Sequence, residues 1–172
     1  MKAQYIRVMD ALHRACLFVA GACLVVITLI IPWGVFTRYV LNSASSWPEP
    51  LAVLLMIVLS FLSAVICYRE YLHIGVGVLP ALLDARGKAV LGWMIEACMM
   101  GTNVFMVWFG IKLVETTFHQ SIAEFPLVSV GVSYLPVPIA GAITALFIIE
   151  RLLTREFFRD QTVETTAAVA TE

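Results

Sequence analysis

Charge is scarce in this sequence. Asp, Glu, Lys and Arg make up 13% of its 172 residues, where about 25% is usual in a soluble domain. Hydrophobic residues make up 61%, and a globule of this length has too much surface to hide them. A soluble single domain is thereby excluded. The net charge of -1 lacks the basic excess that a nucleic-acid binder needs. Cysteine is scarce and poorly placed: Cys16, Cys23, Cys67 and Cys98 form no C-x-x-C pair, and none lies in a predicted outer loop. A disulfide framework, a metal site or an outward-facing thiol oxidase is therefore not indicated, and the four read as small packing residues. Histidine is just as sparse. His13, His73 and His119 fall at predicted span boundaries or in loops, whereas a membrane haem needs axial histidines inside helices. No internal repeat is visible, and the period-2 alternation of a membrane β-barrel is missing. No cofactor is expected.

What is present is a set of long gaps between charges. Arg14 to Arg38 encloses 23 uncharged residues, Glu49 to Arg69 encloses 19, and Glu124 to Glu150 encloses 25. Lys88 to Lys112 encloses 23, with Glu96 as the one charge inside. A helix rises about 1.5 Å per residue and the hydrocarbon layer is about 30 Å thick, so roughly 20 residues suffice to cross it. The chain is expected to be all-α: one transmembrane domain over 1–160 with spans at about 15–37, 50–68, 89–111 and 125–149. The first gap has the basic start of a secretory signal. However, Leu24 to Pro32 continue the uncharged, mostly apolar run past Cys23, beyond an ordinary signal core of about 7–15 residues. A retained helix is expected.

The basic residues orient these spans. Nine of the eleven lie on one side: Lys2, Arg7, Arg14, Arg69, Arg86, Lys88, Arg151, Arg155 and Arg159. Only Arg38 and Lys112 lie on the other. The positive-inside rule then puts both termini in the cytoplasm. Trp33, Trp47, Trp93 and Trp108 sit near predicted boundaries, where indole prefers to be. The tail 161–172 is rich in Thr and Ala without apolar periodicity, and is expected to be disordered and cytoplasmic.

Three segments carry more than hydrophobicity. Glu96, Asn103 and Gly110 recur every seven residues, close to two turns, so they form one polar or small stripe. A charge at the bilayer centre costs about 2.5–3.5 kcal/mol, while each Leu, Ile, Val or Phe returns about 0.3–0.6. The third span holds eight of these apolar residues and the fourth thirteen. The third is thus less self-sufficient, and its stripe should face protein. Glu96 reads as a proton or ion site, as a pair with Arg69 or another cytoplasmic-side base, or as a contact to a partner subunit. Tyr71–Leu83 is apolar but too short to span, and suits an interfacial segment between the second and third helices. Pro136 and Pro138 remove two donors within the fourth span, predicting a kink or unwinding near Tyr134–Pro138.

Arg38-Tyr39-Val40-Leu41-Asn42 closes the first span, Trp47-Pro48-Glu49 opens the second, and Arg69-Glu70-Tyr71-Leu72-His73-Ile74 closes it. In the fourth span, Leu135-Pro136-x-Pro138-Ile139-x-Gly141 follows. This order resembles the small membrane subunit (DctQ-like) of tripartite ATP-independent periplasmic (TRAP) transporters, whose pattern runs R-Y-x-x-N, W-x-E-E, R-x-x-x-H-I and a Pro-Ile-Gly stretch. The likeness covers about residues 10–155. Two positions depart: Pro50 stands where the pattern has a second Glu, and Ser63 where it commonly has Gly.

The resemblance implies a multi-pass subunit of the bacterial inner membrane, not an enzyme. Its partners would be a large membrane subunit and a periplasmic solute-binding protein, together with membrane lipid and no nucleic acid. The assembly would import an organic acid by symport with an ion gradient. This chain would scaffold the large subunit and help to dock the binding protein. Arg38, Trp47 and Glu49 are expected near the outer interface, and Arg69 and His73 near the inner one. Glu96 and Asn103 are candidates for the subunit or lipid interface. Interfacial anchoring or helix capping accounts for the first five equally well. Two other classes stay open: the membrane anchor of a quinone-linked redox enzyme, and a small stand-alone transporter using Glu96.

Overall fold

The computed structural model describes residues 2–43, 45–70, 84–122 and 125–154. Four long helices carry the chain: α1 (Lys2–Tyr39), α2 (Pro48–Arg69), α3 (Ala85–Thr117) and α5 (Pro136–Thr154). A single turn, α4 (Val130–Tyr134), leads into α5, and two short strands, β1 (Ser121–Ile122) and β2 (Phe125–Ser129), join α3 to α4. Among the described residues four stretches are long and apolar enough to cross a membrane: Gln4–Tyr39, Pro48–Arg69, Arg86–Thr117 and Val130–Thr154. The chain is an all-α, multi-pass membrane protein. The interfacial segment expected at Tyr71–Leu83, with His73 in it, lies outside the described residues, as does the expected disordered tail 161–172.

Each helix end has a local cause. α1 stops where Asn42 takes φ 49, a left-handed conformation that Asn tolerates better than most residues. The Ser43 amide then turns back onto the Thr37 carbonyl at 3.1 Å. α2 starts on Pro48, whose missing amide costs nothing in a first turn. Glu49 sits beside the positive end of the helix dipole. At α4, the Ser129 hydroxyl oxygen accepts from the Gly131 amide at 3.0 Å and donates to the Phe118 carbonyl at 2.5 Å. This side chain caps the new helix and ties it to the end of the old one.

The fourth span differs from the expected 125–149. Residues 125–129 form a strand paired antiparallel with β1, in an irregular register, and the helix begins only at Val130. Pro126 lacks the amide that a helix interior needs, and Ser129 is a better cap than any residue before it. The predicted break near Tyr134–Pro138 is present as the step from α4 to α5. With no amide on Pro136, the Val132 carbonyl takes the Leu135 amide at 3.3 Å instead.

The helices pack in an open order. α1 lies along α2, α5 packs against both, and α3 packs chiefly on α5. In lipid there is little hydrophobic drive between helices, so small residues that let backbones approach do much of the work. On α1 the buried hydrophobic positions are Met9, Cys16, Ala20, Cys23 and Ile27, one stripe at helical spacing. Cys16 and Cys23 are thus packing residues. Cys98 is exposed instead, on the outward side of α3. Two glycines mark a tight approach at the α3–α5 crossing. A Cβ on Gly110 would lie 3.0 Å from Pro138 Cδ, and one on Gly141 would lie 3.2 Å from the Asn103 carbonyl oxygen. The stripe read from the sequence at Glu96, Asn103 and Gly110 is therefore the face that meets α5.

Candidate functional site

One end of the bundle gathers the start of α1, the end of α2, the start of α3 and the end of α5. It is called the basic end here, and the opposite one the hairpin end. Tyr68-Arg69-Glu70 closes α2 and Glu150-Arg151 comes in the last turn of α5. These two helices run in the same direction, so their terminal charges come level. α1 and α3 run the other way and overshoot: Asp10, His13 and Glu96 lie about two to three turns inside them. The result is a lattice joining all four long helices.

Arg69 forks onto Glu150, with Nε 3.2 Å from Oε2 and Nη2 3.0 Å from Oε1. Its Nη2 also donates to Asp10 Oδ1 at 2.6 Å, and the guanidinium lies 5.0 Å from the Phe147 ring centroid. Arg151 donates through Nη1 to Glu96 Oε1 at 3.0 Å and through Nη2 to the Tyr68 carbonyl at 2.7 Å. That carbonyl is among the terminal ones that a helix leaves for outside donors. Arg151 also stacks 4.3 Å from the Tyr68 ring centroid. The Tyr68 hydroxyl donates to Glu96 Oε2. Both oxygens of Glu96 are thus occupied, which offsets the desolvation of a carboxylate only 2% exposed. His13 Nε2 lies 3.1 Å from Glu70 Oε1. Its Nδ1 is buried with no hydrogen-bond partner among the described residues, an arrangement that suits a proton on Nε2 facing the carboxylate. Tyr5 adds a bond from α1 to the Leu146 carbonyl of α5 at 2.9 Å.

The expected site residues fall into separate groups. Arg69 joins the lattice, but pairs with Asp10 and Glu150 rather than with Glu96. Arg151 is the base that Glu96 takes. Glu96 and Asn103 were candidates for a subunit or lipid interface; the structure turns both into the chain, at 2% and 5% exposure. The reason is geometric: α5 fills the face on which they lie, and the Asn103 side-chain amide donates to the Met99 carbonyl of its own helix at 2.8 Å. At the hairpin end Arg38, Trp47 and Glu49 are exposed. Glu49 and Pro50 help to line an open groove with Ser46, Val53, Ile122 and Ser133. Trp33, Trp93 and Trp108 are all half-exposed or more, as indoles at a membrane interface would be.

Sequence reading missed Asp10, His13, Tyr68, Glu70, Glu150 and Arg151 as a group. A signal was available: Arg69-Glu70 and Glu150-Arg151 place adjacent opposite charges at the ends of two spans running the same way. The sequence offered Arg69 or another base for Glu96, but gave no means of choosing Arg151 or of pairing Arg69 with Glu150 and Asp10. Among the described residues no group of three or more His, Cys, Asp and Glu side chains could hold a metal ion.

Fold and site together define a four-span helical membrane protein whose described interior charges are paired within the chain and tie its helices at one end. A curated relative from Haemophilus influenzae, bearing the name of a TRAP transporter small permease protein, is 27% identical over 150 residues, covering 86% of this chain and 91% of the relative. The model of the DctQ component of tripartite ATP-independent periplasmic transporters matches residues 27–157. The chain belongs to that family of transporter components.

Proposed function

We propose that this chain is a non-catalytic scaffold in a tripartite secondary transporter of the inner membrane, required for import of an organic acid with an ion gradient. It braces the large membrane subunit and helps to dock a periplasmic binding protein at its hairpin end. Both termini lie in the cytoplasm, as the nine basic residues on one side favour. The observation that carries this reading is the state of Glu96. It is the one carboxylate inside the third gap, and both its oxygens are committed to Arg151 and Tyr68. That arrangement favours holding helices over passing protons.

A second feature supports a large neighbour. α3 has the lowest mean hydropathy of the four spans, yet only 11% of its most apolar stretch is buried by the described chain, against 22% to 28% for the others. A span that gains least from lipid gains most from protein cover. Family membership disfavours both the redox-anchor and the stand-alone readings. Removing this chain from cells that keep the large subunit and the binding protein should abolish uptake of the transported acid. Undiminished uptake would refute the scaffold role.

A further inference from the structure

The lattice at the basic end sorts charge by side. Asp10, Glu70, Glu96 and Glu150 are all drawn onto Arg69, Arg151 or His13. Arg7 and Arg14 are exposed, and no carboxylate among the described residues pairs with either. Arg14 Nε makes one contact, 3.4 Å from the Asp10 carbonyl of its own helix. The two arginines are seven residues apart, so they stand on one face of α1, roughly 10 Å apart along its axis. That face is opposite the stripe of Met9 and Cys16 that packs against the bundle. Farther along the same outward side come Phe18, 78% exposed, then Val25 and Leu29, also exposed.

α1 has 38 residues, about 57 Å of helix, against a hydrocarbon layer of about 30 Å. It overshoots the layer, and the change from arginine to phenylalanine between Arg14 and Phe18 marks where headgroups give way to acyl chains. A surface with two cations that no described carboxylate neutralises, above an apolar strip, is complementary to a lipid with an anionic headgroup. Asp10 and Glu70, the described carboxylates of α1 and of the adjoining end of α2, are instead held by Arg69 and His13.

We propose that Arg7 and Arg14 form a binding site for anionic phospholipid headgroups on the outward face of α1. The headgroup phosphate lies against the two guanidiniums and the acyl chains run along Phe18, Val25 and Leu29.

The test is a competition on the purified full chain. It is reconstituted in nanodiscs of equal phosphatidylglycerol and phosphatidylcholine, re-extracted in mild detergent, and its retained lipids are counted by mass spectrometry. The wild type should retain phosphatidylglycerol preferentially, and the preference should shrink at high salt. Each cation near an anionic surface contributes about fivefold, so Arg7→Gln/Arg14→Gln should cut the preference by about 25-fold. Arg7→Lys/Arg14→Lys should keep most of it, and Arg38→Gln, at the hairpin end, all of it. Equal retention of the two lipids by the wild type would overturn the proposal, and would point instead to an acidic protein surface as the ligand of these arginines. So would a Gln double variant with its preference intact, or a Lys double variant that loses it while keeping its charge.

Discussion

Glu96 and Arg151 illustrate what a single residue does at a membrane boundary. A carboxylate 2% exposed is tolerable only with its charge and its lone pairs satisfied, and Arg151 and Tyr68 do both. Replacing Arg151 by Gln leaves that charge buried without its partner. The expected loss is about 3–5 kcal/mol, measurable as a fall in the detergent melting temperature. A double change, Glu96→Leu/Arg151→Leu, removes the stranded charge along with the pair and should cost less than Arg151→Gln alone; equal or larger loss would show that the stranded charge is not the main cost of losing Arg151. Asn42 works through backbone conformation. At φ 49 a β-branched side chain is strained, so Asn42→Val should destabilise the chain by about 1–2 kcal/mol, while Asn42→Gly should melt near the wild-type temperature.

At the scale of elements, spacing in the sequence was legible and partners were not. The four spans follow from gaps between charges, because hydrophobic length has one solution in a bilayer. The seven-residue recurrence of Glu96, Asn103 and Gly110 correctly marked the face of α3 that meets protein, since helical periodicity is local. Which protein it meets is a matter of tertiary order, and nothing local distinguished α5 from an outside subunit. The strand at Phe125–Ser129 was hidden for a related reason: hydropathy continues unbroken through it, while Pro126 and the Ser129 cap decide the start of the helix. The crossing of α3 and α5 gives a sharp contrast between two glycines. Gly141→Val sets branched carbon atoms where a Cβ alone already meets Asn103, Met106 and Val107 at 3.2 Å. It should cost about 1–3 kcal/mol through overpacking. Gly101 has nothing within 4 Å of such a Cβ, so Gly101→Ala should leave the melting temperature unchanged or slightly raised, Ala being the better helix former.

The whole molecule is an open arrangement tied firmly at one end. α1 and α2 pair closely and α5 links them to α3, which carries its polar stripe inward and a mostly uncovered surface outward. The sequence carried the family through the order of short patterns at helix ends, and the structure gives physical reasons for two of them. The asparagine that closes the first span takes the left-handed turn, and the arginine that closes the second becomes the hub joining α1 to α5. The most direct measurement is uptake by proteoliposomes containing the large subunit alone, this chain alone, or both, with the binding protein and ligand outside and an ion gradient imposed. The scaffold account predicts accumulation only when both membrane subunits are present. Uptake by the large subunit alone at the full rate, or by this chain alone, would contradict it.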